Sequence, residues 1–125
     1  MPEMETEFGH LVEMIISVES GWDSKAVGDQ GNAVGVAQIW KVVVDDVNRF
    51  SGKAFTYRDR LDPRKSREMI QIYLDHYAQA YKKATGKKAG METLARIWNG
   101  GPDGYKKGKT AGYWQKIKST ILDPL

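Results

Sequence analysis

Residues 19–38 read ESGWDSKAVGDQGNAVGVAQ, from Glu19 to Gln38. An apolar, helix-patterned run leads into this stretch, and Glu19 stands at the end of that run. Gly21, Gly28, Gly31 and Gly35 follow, with Asp23 and Asp29 between them. Glycines this dense mark backbone that turns sharply or approaches another group closely. A carboxylate at a rigid helix end, facing such a loop, suits acid/base chemistry; the competing reading is a solvated acid beside a surface loop.

Outward toward the N-terminus, Leu11, Met14, Ile15 and Val18 follow the i, i+3, i+4, i+7 rule of an amphipathic helix over residues 7–20. Gly21 is a suitable stop. Glu19 then lies in the last helical turn, where the partial negative charge of the helix end disfavours ionisation. Apolar cover, with Trp22 as the candidate, would disfavour it further, so a raised pKa is expected.

Toward the C-terminus, residues 39–50 place Ile39, Val43, Val47 and Phe50 on one helical face, ended by Gly52. Residues 51–61 read as a connection. Asp62-Pro63 opens a long helix, because aspartate caps well and proline suits the first turn. Met69, Ile72, Tyr73, His76, Tyr77 and Ala80 keep helical spacing, and Gly86 closes the run. His76 is expected in the core or at its edge rather than in catalysis. Residues 91–99 form a short helix packing Leu94, Ile97 and Trp98, broken at Gly100-Gly101-Pro102. Thr110 is the expected cap of a last helix with Tyr113 or Trp114, Ile117 and Ile121 inward. The expected fold class is mainly α, with about five or more helices, glycine-rich active-site loops and little strand.

At 125 residues with no internal repeat, one domain over 1–125 is the expectation. There is no cysteine, and His10 and His76 are too far apart in sequence to suggest a metal site, so no metal or other cofactor is expected. No signal peptide and no membrane-length apolar run is visible, so stable membrane insertion is not expected. The site of action is therefore open on these features alone. The net charge is +3, yet residues 1–50 hold only Lys25, Lys41 and Arg49 of the 19 bases. The basic remainder suits a polyanionic neighbour such as cell wall, or simply a solvated surface. A nucleic-acid-binding module is disfavoured, since the bases scatter over loops and helices and leave the Gly/Glu stretch unexplained.

Three pieces stand in order: Glu19-Ser20, Gly35-Val36-Ala37-Gln38, and Trp98-Asn99-Gly100-Gly101. Together they resemble the soluble lytic transglycosylase domain of the lysozyme-like superfamily, whose general plan goose-type lysozymes share. Ala26 matches the alanine between the first two motifs, and Tyr113 resembles the tyrosine of the family's last helix. The resemblance spans roughly residues 8–122, and the DDVNR and IWNGG stretches resemble members found in phages and bacterial genomes.

The resemblance implies a lysozyme-like fold and cleavage of the β-1,4 bond between N-acetylmuramic acid and N-acetylglucosamine in peptidoglycan, with Glu19 as general acid and base. In a transglycosylase the nucleophile is the sugar's own C6 hydroxyl, which needs no second carboxylate and leaves a 1,6-anhydro ring. Ser20, Gly35, Gln38, Trp98, Asn99 and Tyr113 would bind or orient substrate around Glu19; Trp98 or Trp22 could stack on a sugar face. The implied partners are peptidoglycan glycan strands, with chitin oligosaccharides as a second substrate class, and a monomer is the default. The sequence departs from the family pattern at Gly28, where serine is common, at Trp98, which replaces tyrosine, and in a loop one residue longer before Gln38. Asp29, on the facing loop, is a candidate to position water in a hydrolytic lysozyme, or else a turn former. A non-catalytic glycan-binding or virion structural protein of the same fold is the alternative from another class.

Overall fold

The computed structural model describes residues 3–122, with side chains described over residues 9–120. Five helices run in order: α1 (Glu3–Ser20), α2 (Lys41–Ser51), α3 (Pro63–Thr85), α4 (Met91–Gly100) and α5 (Ala111–Leu122). Between α1 and α2 lies an antiparallel pair of short strands, β1 (Val27–Gly28) and β2 (Ala33–Val34), in register Val27↔Val34 and Gly28↔Ala33. This is a mainly α arrangement with a single small hairpin among the described residues.

The helices form where sequence periodicity places apolar side chains on one face. On α1 the buried stripe is Leu11, Val12, Ile15 and Ile16. It is rotated from the expected face, because Val12 and Ile16 take the centre while Met14 and Val18 pack at its margin. That rotation turns Glu13 toward α3, where Arg67 grips it with Nε–Oε2 at 2.9 Å and Nη2–Oε1 at 3.3 Å. Each fully buried aliphatic contributes about 1.5–3 kcal/mol relative to exposure, so this stripe fixes how α1 sits.

α3 is capped as expected. The Asp62 side chain accepts from the Arg64 and Lys65 backbone N–H groups, and Gly86 closes the helix at φ 75°. α3 packs against α1, α2 and α4, burying Met69, Ile70, Tyr73 and Leu74. α5 packs against α1 and α4 through Tyr113 and Ile117. The side chain of Ile121 lies outside the described residues.

Two local expectations are corrected. α2 begins at Lys41 rather than Ile39, because Ile39 is held in a bridge with Val34, N–O distances 3.0 and 3.2 Å. Thr110 does not act as a simple helix cap. It is fully buried, accepts from Arg96 Nε at 2.8 Å and faces the carbonyls of Gly104 and Lys107 at 2.7 and 2.8 Å, bracing the loop after α4. His76 takes the edge position of the two expected, exposed and stacked flat on Phe50 at 3.6 Å.

Candidate active site

Glu19 is the penultimate residue of α1 and is half-buried. Tyr113 of α5 reaches back across the core and donates its hydroxyl to Glu19 Oε2 at 2.8 Å. Trp98, on α4, stands close enough to the carboxyl for its indole N–H to favour the charged form. Its ring is fixed edge-on against Tyr73, centroids 5.2 Å apart. The carboxyl is thus held by α1 and α5, with Trp98 of α4 beside it.

Burial pushes the Glu19 pKa above the ordinary carboxylate value. The hydrogen bond from Tyr113 and the nearby Trp98 indole N–H pull the other way, the charge of Asp29 adds to the rise, and Lys116 opposes it. Burial wins, so the direction read from sequence holds. Its cause differs from the one expected: Trp22 is 49% exposed, sits under the Arg67 guanidinium at 5.4 Å, and is not a wall of the cleft. Burial and the Glu19 charge also hold the Tyr113 hydroxyl far above its usual pKa, so it is always available as a donor.

The facing wall is the β1–β2 hairpin. Its turn carries Asp29, Gln30 and Gly31 in the left-handed region, at φ 48°, 59° and 94°. Left-handed backbone at a non-glycine residue costs about 1–3 kcal/mol and persists only where surroundings enforce it. Here the Asp29 carbonyl accepts both the Asn32 backbone N–H at 3.2 Å and its side-chain amide at 3.0 Å. Asp29 is therefore a turn residue and also lines the cleft, so the two sequence readings are not exclusive.

The turn after β2 holds Gln38, itself left-handed at φ 52°. Its amide donates to the carbonyls of Ala26 and Gly35, both at 3.1 Å, lacing the hairpin to the turn. Its Oε1 lies so close to Gly28 that a Cβ there would collide with it. Gly35 has φ 85°, and a Cβ would run into the Arg60 carbonyl. The close approach that requires this glycine is thus to the protein's own backbone. Ser20 is likewise a brace, donating to the Val36 carbonyl at 2.7 Å and so tying the end of α1 to the same turn.

Glu19, Asp29, Gln38, Trp98 and Asn99 line one cleft of about 260 Å³, and Trp40 joins them. Ile39 and Val43 supply apolar wall. Ser20, Gly35 and Tyr113 stand behind it as supports.

Two residues here escaped the sequence reading. Arg60 is only 7% exposed, donating from Nε to the Tyr57 carbonyl at 2.8 Å and from Nη1 to the carbonyls of Ile39 and Asn32 at 3.0 and 3.4 Å. Its own carbonyl accepts from Ser66 at 3.0 Å. Arg60 therefore pins the hairpin and the start of α2 to α3. Nothing in YRDRL distinguishes it from its exposed neighbour Arg58. Trp40 is the other. Its signal was available, since it follows the Gly35–Gln38 motif by two positions, as an aromatic at a helix start.

The Transglycosylase SLT domain family pattern matches residues 4–121. The chain belongs to that family. Among other proteins, it is 42% identical over 47 residues to a lysozyme of Meretrix lusoria, a match covering 38% of each chain. It is 37% identical over 43 residues to Lysozyme 1 of Crassostrea virginica, covering 34% of this chain and 23% of that protein. These matches span well under half the length of both lysozymes. The fold is similar to a chain in the crystal structure of Aeromonas hydrophila PliI in complex with Meretrix lusoria lysozyme, with TM-score 0.67 and 27% identity over 88% of this chain and 87% of that one.

Within this SLT domain, no group of three or more potential metal ligands occurs among the described residues. None of its described helices is long and apolar enough to cross a membrane. The chemistry available in the cleft is that of one desolvated carboxyl, one exposed carboxylate, amides and indoles.

Proposed function

We propose that residues 1–125 form one SLT-type unit that cleaves the β-1,4 bond between N-acetylmuramic acid and N-acetylglucosamine in peptidoglycan, with Glu19 as general acid and base. The observation that carries this reading is the state of Glu19: a carboxyl desolvated at a cleft wall, its pKa raised, its orientation held by Tyr113. A general acid needs a pKa above the ordinary carboxylate value, and burial moves Glu19 in that direction. With Tyr113 donating to Oε2, the acid proton sits on the other oxygen, free to pass to the glycosidic oxygen as the C1–O bond breaks. The resulting carboxylate then takes the proton of the attacking hydroxyl.

The first reading of that hydroxyl is the C6 hydroxyl of the same muramyl residue, giving the 1,6-anhydro product. This route needs only one tuned carboxylate, and Glu19 is the one cleft carboxylate withdrawn from solvent among the described residues. Intramolecular attack carries a high effective molarity, so nothing need hold a water. A specific observation favours the second reading, hydrolysis as in a lysozyme. Asp29 shares the cleft and is close enough for its charge to act on Glu19. A carboxylate there could orient and deprotonate water.

Mass spectrometry of peptidoglycan digested with wild type, Glu19→Gln and Asp29→Asn separates these. Anhydro-muropeptides from wild type and Asp29→Asn, with none from Glu19→Gln, support the transglycosylase. Reducing-end muropeptides that vanish in Asp29→Asn establish the hydrolase instead. Equal, negligible release from all three proteins would sink the glycosidase reading and leave a non-catalytic glycan-binding role.

A further inference from the structure

Trp40 is anomalous on physical grounds. It occupies the N-cap position of α2, where serine, threonine, aspartate or asparagine would satisfy a free backbone N–H; tryptophan makes no such bond. Its side chain is 43% exposed, one of the large apolar groups left at the surface. It nevertheless lines the same cleft as Glu19 and Asp29. A residue that serves neither the helix start nor the core, yet sits at the site, calls for another account.

Its backbone is unusually well held. Ile39, just before it, exchanges two hydrogen bonds with Val34 and gives its carbonyl to Arg60 Nη1 at 3.0 Å. The Trp40 carbonyl accepts from the N–H groups of Val43 and Val44 at 3.0 and 3.3 Å, starting α2. The main chain is thus anchored on both sides while the indole stays open to water. A rigid flat apolar face at the mouth of a polar cleft matches the C–H face of a pyranose ring, whose hydroxyls meanwhile remain free to bond the amides of Gln38 and Asn99. By contrast, Trp98 packs partly buried against the core with its ring edge-on to Tyr73, so its ring has other employment.

We infer that Trp40 is a carbohydrate-stacking residue, which binds a pyranose ring of a β-1,4-linked N-acetylhexosamine strand in the cleft and so sets affinity for the glycan. This rests on the glycosidase reading above, and deepens it.

The test is calorimetric binding of a tetrasaccharide prepared from peptidoglycan to Glu19→Gln protein, which holds the strand intact, and to the same protein carrying Trp40→Ala, Trp40→Phe or Trp22→Ala. Trp40→Ala should weaken binding about tenfold or more, the range that loss of one aromatic stack produces. Trp40→Phe should recover most of it, and Trp22→Ala, outside the cleft, should leave it unchanged. In the active protein Trp40→Ala should raise KM with little change in kcat. On titration with the tetrasaccharide, the indole N–H resonance missing from the Trp40→Phe spectrum should be the one that shifts. If Glu19→Gln binds the tetrasaccharide and Trp40→Ala binds it equally well, the inference is overturned while the glycosidase reading stands. If Glu19→Gln does not bind it at all, both fall together.

Discussion

Tyr113→Phe removes one oxygen and, with it, the 2.8 Å hydrogen bond to Glu19 Oε2. The ring stays buried and leaves no large void, so the effect isolates that bond. Its size depends on pH, because a hydrogen bond to an ionised group contributes about 1.5–3 kcal/mol and one between neutral groups about 0.5–1.5 kcal/mol. Glu19 has a folded-state pKa raised above the unfolded value of 4.5. Such a group stabilises the fold fully below its unfolded pKa, and that stability is lost as pH rises through the folded value. Tyr113 limits the loss by favouring the carboxylate. Without it, the Glu19 pKa climbs further and stability falls more steeply with pH. The gap between wild type and Tyr113→Phe should therefore be about 1 kcal/mol at pH 4 and widen by about another 1 kcal/mol by pH 8, a widening of roughly 3–6 °C in Tm for a chain this size. Thermal melts across that range measure it. The same substitution should move the alkaline limb of the pH–rate profile upward, since the acid keeps its proton longer, while the rate at the optimum falls about tenfold through lost orientation. A gap that does not change with pH, or an alkaline limb that moves down, would refute the reasoning.

The remaining expectations test the supports of the site. Glu19→Gln keeps an acceptor for Tyr113 and lacks the desolvated charge, so its stability should match wild type at pH 4 and exceed it as pH rises through the Glu19 pKa; chemical denaturation at the two pH values decides this. Gly35→Ala combines a left-handed φ of 85° with a clash against the Arg60 carbonyl, and should cost about 2–6 kcal/mol, read as a large drop in denaturation midpoint with the slope preserved. Arg60→Met keeps the apolar stem but strips donors from the carbonyls of Tyr57, Ile39 and Asn32. Its expected cost is about 2–4 kcal/mol, and muropeptide release should fall with it because the hairpin loses its tie to α3.

Much of this was legible in the sequence because it is local. Asp62 and Gly86 bound α3 through capping chemistry that acts over one helical turn, and the structure uses both. Glu19 could be singled out because a charge at the end of an apolar periodic run is anomalous in one dimension. What could not be read were interactions closing over many residues. The face that α1 buries depends on which distant helices Leu11, Val12, Ile15 and Ile16 meet, and it leaves Glu13 facing Arg67, 54 positions away. The partner that makes Gly35 obligatory is the Arg60 carbonyl, and a backbone atom leaves no mark on side-chain pattern. Ile39 kept helical spacing with Val43 and Val47, yet pairing with Val34 removed it from the helix. Periodicity cannot register such a competitor.

The distribution of backbone strain connects these points to function. The described non-glycine residues with positive φ are Trp22, Asp29, Gln30 and Gln38, all within the segment between Glu19 and the start of α2. At about 1–3 kcal/mol each, they together threaten a stability of only about 5–15 kcal/mol. They persist because the segment is fastened at several points, of which Ser20 and Arg60 stand behind the cleft and Gln38 lines it. Ser20 ties it to α1, Gln38 laces its two arms, and Arg60 clamps it to α3. The outcome is a wall that presents Asp29 and Trp40 to the cleft on a backbone with little freedom to relax. Preorganisation of this kind lowers the entropy lost when a glycan strand is ordered against it. It also separates two duties along the chain under the proposed function: α1 and α5 hold Glu19 in place, and the strained segment fixes the surface that a sugar would meet.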